Sequence, residues 1–331
     1  MNRLLTLLLA SVLMLSAAGC GQTQSVEPVS KTNIMLDTVV TISLYDDSDR
    51  SVLDLAFDEI SRLENLLSVT KEGSDLDRLN KAAGKEWVEI APETEEVLLL
   101  SKEYTALSGG YFDVTAGPLI DLWGIHNGEG HYPTQEELEA VLPLTNSDDL
   151  LMEDGRAYLA REGMKVNLGA IAKGYIADKV KELLVENGVE HATLDLGRNV
   201  LLIGGKTDDT AFNIGIQDPN DEPGELVGAI PVTDQSVVTS GINERYFTYE
   251  GKNYHHILDP FTGFPADNGV ASVTILSDSS AQGDALSTSC LLLGQEKGLA
   301  LIESLDGVEA LFIMTDGSMI PSSGFEADFL D

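Results

Sequence analysis

The chain has 331 residues, with 55 Asp and Glu against 20 Lys and Arg, a net charge of −35 and an isoelectric point near 4.2. Such a surface repels polyanions, which argues against nucleic acid or anionic lipid held on the domain face, and an anionic ligand would need a local cation. Apolar residues make up 43%, ample for the core of one large domain or two intimately packed subdomains.

In chain order, Arg3 precedes an apolar run, Leu4 to Leu15, too short to anchor the chain across a bilayer. Ala17-Ala18-Gly19-Cys20 resembles a bacterial lipobox, with Ala17 where Leu is usual. Residues 1–19 are read as a lipoprotein signal peptide, Cys20 as the lipidation site, 20–32 as a flexible tether, and 33–331 as the functional domain. The acyl chains would anchor the domain on the outer face of a bacterial membrane without spanning it. With Cys20 lipidated, Cys290 has no disulfide partner, and its apolar setting from Leu286 to Leu293 reads as a core thiol.

Asp37 to Tyr45 alternates like a half-buried strand. Asp49 is expected to cap a helix carrying Val52, Ala56, Ile60, Leu63 and Leu67 on one face. Ser74 to Asp77 opens a short turn ending at Asn80. Pro92 starts a helix through Leu107, stopped by Gly109-Gly110. Tyr111 to Trp123 reads as irregular. Thr134 and Glu137 form a capping box for a helix ended at Pro143. Met164 to Leu168 is expected as a strand before a helix from Ala170 to about Glu186. Strands follow at 191–196, 199–203, 211–217, 225–232, 235–239 and 244–250, with a hairpin turn at Glu250-Gly251. Val270 to Leu276 is a strand, and Asp278 or Ser279 caps the next helix. A last helix and two strands finish the chain. Helices and strands mix without strict alternation, which predicts an α+β fold of mixed sheets with flanking helices around a central cleft.

Several short stretches carry possible chemistry. Asp284 and Thr288 stand four apart, one turn from each other on a helix, a partial oxygen cage for a hard cation such as Mg²⁺. Asp in a helix's first turns also suits the macrodipole. Val166 to Tyr175 runs through Gly169 into a helix start with Lys173, suited to phosphate or simply to tight packing. His255-His256 precede Ile-Leu-Asp259-Pro260, where His256 is a base, a ligand or a turn partner. Tyr111-Phe112-Asp113 places aromatics around an acid, fit for a planar ring or for a loop folded on the core.

In order, the chain carries Leu36 to Val40, Ser68 with Ser74 to Asn80, Phe112 to Leu119, Val166 to Tyr175, Thr239-Ser240-Gly241 through Phe247, His256 to Gly263, and Asp284 to Thr288. Together these resemble the ApbE family of FAD:protein FMN transferases in lipoprotein form. The resemblance implies FAD as substrate and FMN transferred to a Ser or Thr hydroxyl of an acceptor flavoprotein, such as a redox-complex subunit, with release of AMP. It implies Mg²⁺ on Asp284, Thr288 and the Ala170 carbonyl, with Ser287 at a further ligand position. FAD contacts would come from Leu36, Thr70, Tyr111, Phe112, Asp113, Asn167, Lys173, His256 and Leu258. The acceptor hydroxyl must lose a proton, for which His256 or a nearby carboxylate is the candidate base, and His256 and Asp284 are the candidate catalytic residues. Thr70, Asn167 and Arg198 depart from the family pattern, which often has an aromatic, an Asp and a Gly there. An FAD pyrophosphatase giving FMN and AMP, or a non-catalytic flavin-binding lipoprotein, is the alternative.

Overall fold

The computed structural model describes residues 28–330, apart from 127, 209, 222 and 223. The stretch read as a signal peptide, 1–19, and Cys20 lie outside the described residues. Strands run β1 Val29–Met35, β2 Thr38–Leu44, β3 Val88–Glu89, β4 Leu150–Glu153, β5 Arg156–Leu159, β6 Ala192–Leu196, β7 Asn199–Ile203, β8 Phe212–Gln217, β9 Leu226–Val232 and β10 Ser236–Gly241. They continue with β11 Tyr246–Tyr249, β12 Lys252–His255, β13 Val270–Ser277, β14 Glu309–Met314, β15 Met319–Pro321 and β16 Asp328–Phe329. The helices are α1 Val52–Leu67, α2 Asp75–Lys81, α3 Pro92–Leu107, α4 Gly117–Trp123, α5 Gln135–Val141, α6 Ala172–Glu186, α7 Ser280–Leu293 and α8 Gln295–Ile302.

The fold is α+β. An eight-stranded sheet in the order β1-β2-β6-β7-β10-β13-β14-β15 forms the middle layer, with every pairing antiparallel. β13 is buried along nearly its whole length, because both faces of the sheet are covered. On one face Val273 and Ile275 join the main core with residues of α1, α6 and α7. On the other, Leu202, Val237, Leu311 and Ile313 meet Phe212, Ile216, Ile230 and Val232 of the β16-β9-β8 sheet. A third cluster centres on Trp123, with Leu119, Leu138 and Leu258, and Tyr132, Phe247, Tyr254 and Phe264 against it. The Trp123 indole N–H donates to the Gly263 carbonyl at 2.7 Å, tying α4 to the loop after His256.

Periodicity located most of these elements, and local hydrogen bonding explains the departures. Val29–Met35, partly inside the stretch read as a tether through 32, is a strand that pairs residue for residue with β2. Ser51, not Asp49, occupies the N-cap of α1, and the Asp49 carboxylate instead accepts from Ser51 N. The segment 111–123 ends in a helix, α4, because Pro118 sits in its first turn, where its missing N–H costs nothing. Residues 164–168 do not form a strand of a sheet. Met164, Val166 and Leu168 are buried at period two, but the Asn80 side chain takes both backbone groups of Val166, at 2.7 and 3.0 Å. The one bridge there pairs Lys165 with Ala116. α6 starts at Ala172, two residues late. The β3-β5-β4 sheet and β16 went unread because their strands have only two to four residues.

Candidate active site

A cleft of about 1020 Å³ opens between the helical face of the main sheet and the loops around the Trp123 cluster. This is the upper end of the usual range for ligand pockets. Its walls include Leu36, Thr70, Tyr111, Phe112, Asp113, Asn167, Ala170, Lys173, His256, Leu258, Asp284 and Thr288. Thus residues spread over some two hundred and fifty positions converge on one space.

One wall is the crossing of α6 and α7. At Gly174 a Cβ would stand 2.1 Å from the Ser280 carbonyl oxygen, so only glycine lets the two helices approach this closely. Each helix satisfies the other's start. Asp178 of α6 accepts from Ser280 N, Ala281 N and the Ser279 hydroxyl at 2.7–2.9 Å. Asp284 of α7 accepts from Gly174 N at 3.1 Å. An unbroken helix would direct that N–H to the Ala170 carbonyl, so Ala170 is left out of the ladder and on the cleft wall.

Asp284 is 4% exposed, and burial pushes its carboxyl above the usual range, opposed by the Lys173 ammonium and the Gly174 N–H. Lys173 donates to the Asn199 side-chain oxygen at 3.0 Å. The Asn199 amide also favours the Asp284 carboxylate, although its Nδ2 makes no bond of good geometry. Thr288 Oγ1 lies 3.3 Å from Ser240 Oγ. Carboxylate, hydroxyl and freed carbonyl form an all-oxygen donor set that fits a hard cation. No three His, Cys, Asp or Glu among the described residues form a cage by themselves, so such a cation would share its shell with ligand oxygens and water. Ser287 does not belong to this set. It is fully buried, off the cleft wall, with its hydroxyl donating to the Asp284 carbonyl at 3.0 Å and 2.8 Å from Ser240 Oγ.

A second wall is made of turns. His256 Nδ1 donates to the Arg245 carbonyl at 3.2 Å, leaving Nε2 as the lone-pair nitrogen. Enclosure in the cleft, with His126 beside it, holds the ring neutral, at about 3. His255 is structural, donating from Nε2 to the Ala266 carbonyl at 2.8 Å. Asp113 accepts from Thr115 N, Thr115 Oγ1 and Ser147 N, so it shapes its loop. Phe112 is buried against Tyr104, while Tyr111 packs edge-on with Phe261. Asn167 Oδ1 accepts from Gly169 N, forming the turn into α6. Leu36 and Asp37 bring a left-handed hairpin tip to the wall, at φ 54° and 56°. Leu36 N is held by the Glu64 carboxylate at 3.1 Å. Thr70 is exposed, its hydroxyl 3.0 Å from Ser68 Oγ.

The ApbE family model matches residues 36–312. The chain belongs to the ApbE family. A curated relative from Klebsiella pneumoniae, named FAD:protein FMN transferase, is 34% identical over 89% of this chain and 92% of its own. A Treponema pallidum protein of the same name is 33% identical over 94% and 91%. The solved ApbE protein of Thermotoga maritima superposes with a TM-score of 0.83 at 31% identity, covering 90% of this chain and 97% of that one. The flavin transferase ApbE of Vibrio cholerae gives 0.82 at 28%, covering 90% and 98%.

Against this ApbE frame, Arg198 has a definite place. It takes φ 72° in the β6–β7 turn and donates to Glu244 at 3.2 Å and Gln217 at 2.8 Å, on the cleft wall. Glu244, a quarter exposed, is pushed up by burial against that pairing. Four groups escaped the sequence reading: Asn199, Asp178, His126 and Arg245. Arg245 lies inside the Thr239-to-Phe247 stretch, and nothing local marks the other three.

Proposed function

We propose that this protein is a Mg²⁺-dependent FAD:protein FMN transferase, anchored through Cys20 outside the cytoplasm, that moves FMN from FAD to a Ser or Thr hydroxyl of an acceptor flavoprotein. The observation that carries the reading is the meeting of two sets of groups in one cleft. Asp284, Thr288, Ala170 and Lys173 line it together with His256, whose Nδ1 is bonded and whose Nε2 is left free.

The chemistry follows from those groups. The acceptor hydroxyl oxygen attacks the flavin-side phosphorus. A new P–O bond forms as the bridging P–O bond breaks, and the electron pair leaves with AMP. The hydroxyl proton passes to His256 Nε2, which is neutral and open to receive it. A bound dinucleotide's negative charge opposes the desolvation of His256 and raises its basicity. The Lys173 ammonium, at the start of α6 on the cleft wall, offsets the charge that develops on the phosphates. Asp284, Thr288 and Ala170 would hold Mg²⁺, which when bound supplies charge neutralisation at the pyrophosphate. Positioning and electrostatics then account for most of the rate.

The test is incubation of the protein with FAD, Mg²⁺ and a co-encoded flavoprotein, followed by mass analysis of the acceptor. An FMN adduct on a Ser or Thr is expected. Steady AMP release with every acceptor unmodified would replace this reading with FAD hydrolysis.

A further inference from the structure

His126 follows α4 and Arg245 precedes β11, yet both line the cleft beside His256. The Arg245 guanidinium donates from Nη1 to His126 Nδ1 at 3.0 Å. The same residue's backbone carbonyl accepts from His256 Nδ1. The two imidazoles meet edge to face, with centroids 5.6 Å apart and planes at 80°. An arginine cannot accept a hydrogen bond, so His126 Nδ1 must carry the lone pair and its proton must sit on Nε2. A carbonyl cannot donate, so His256 has the opposite tautomer. One residue, Arg245, therefore sets both rings.

We propose that His126, held by the Arg245 guanidinium, is a positioning residue that braces the His256 ring so that its Nε2 lone pair faces the acceptor hydroxyl. The proposal rests on the FMN-transfer reading for its consequence in rate, and on the hydrogen-bond geometry alone for its tautomers. Without the His126 edge, the His256 ring keeps a single hydrogen bond to Arg245 and can turn about it. A ring displaced by an ångström at a reacting centre costs up to about 100-fold in rate. Asp37 and Asp121 also face His126, and burial together with the Arg245 charge keeps the ring neutral, although one edge stays open to solvent.

The test uses the full chain in detergent. His126→Phe preserves a flat ring but gives Arg245 no acceptor, and His126→Gln restores an acceptor without the ring. For FMN transfer under saturating FAD, His126→Phe should lower kcat by about 10- to 100-fold with KM for FAD within about twofold. His126→Gln should recover part of that loss. Imidazole nitrogen NMR gives a readout that does not depend on turnover, and with five histidines in the chain the spectrum is sparse. It should show protonated Nδ1 at His256 and protonated Nε2 at His126, with the His256 preference blurred in His126→Phe. Wild-type kcat in both variants, or a His256 proton on Nε2 in the unaltered protein, overturns the proposal. Absence of an FMN adduct with unaltered protein would instead overturn the transfer reading, and the NMR result would still decide the tautomers.

Discussion

The two walls of the cleft are built on opposite principles. The α6–α7 wall is regular secondary structure with Asp284 buried and each helix start satisfied by the other helix. The His256 wall is a set of turns joined by hydrogen bonds over long sequence separations, such as Arg245 to His126. The first is a rigid frame for fixed charge. The second presents side chains whose protonation and orientation depend on a few exposed contacts. A transfer reaction that fixes a dinucleotide and admits a protein hydroxyl calls for this asymmetry.

If the helical wall supplies the electrostatics, its loss should have the largest effect. Asp284→Asn keeps the volume and should lower transfer by at least about 10²- to 10³-fold. It removes a buried charge, so the melting temperature measured without metal should hold or rise. A large drop in melting temperature would mean that Asp284 serves the fold first. Gly174→Ala should be the most damaging change to stability, since its Cβ meets the Ser280 carbonyl at 2.1 Å. A loss of about 3 kcal/mol in denaturant unfolding is expected, together with lost activity as α7 and Asp284 shift.

The turn wall should respond to acid. His255 and His256 are both held below the ordinary histidine value by burial. The unfolded chain binds those protons near pH 6.5 and the folded protein does not, so stability should fall as pH drops from about 7 to 5. His255→Asn should flatten that fall, and a melting temperature insensitive to pH in this window would contradict the assignment.

The smallest effect is expected at Arg198. Arg198→Gly removes a left-handed non-glycine residue, a gain of about 1 kcal/mol, and loses a cation paired to Glu244. Stability should hold or rise slightly while KM for FAD increases a few-fold. Unchanged KM would make Arg198 a matter of local architecture.

The same contrast governs what the sequence disclosed. α3 was legible to the residue, because Pro92 and Gly109-Gly110 both act locally. Helical spacing puts Asp284 and Thr288 on one face, a weak signal until the order of the surrounding motifs joins it, and both line the cleft. Cys290 was read as a core thiol, and burial does push it to about 12. Ser287 was misplaced by its neighbours in sequence, since the helix turns its hydroxyl off the cleft wall. Residues 164–168 had strand periodicity, but their backbone partner is the Asn80 side chain, which no local pattern announces. His126 was invisible for a related reason. Its importance comes from Arg245, 119 positions away, and it follows a helix that composition suggested was irregular.

The most direct test of the central claim is to run the reaction in heavy-oxygen water and weigh the phosphate products. Direct attack by the acceptor hydroxyl predicts FMN joined to the acceptor, AMP in equal amount, and no heavy oxygen in either. Free FMN carrying heavy oxygen, with the acceptor unmodified, would show that water and not a protein hydroxyl is the nucleophile in this cleft.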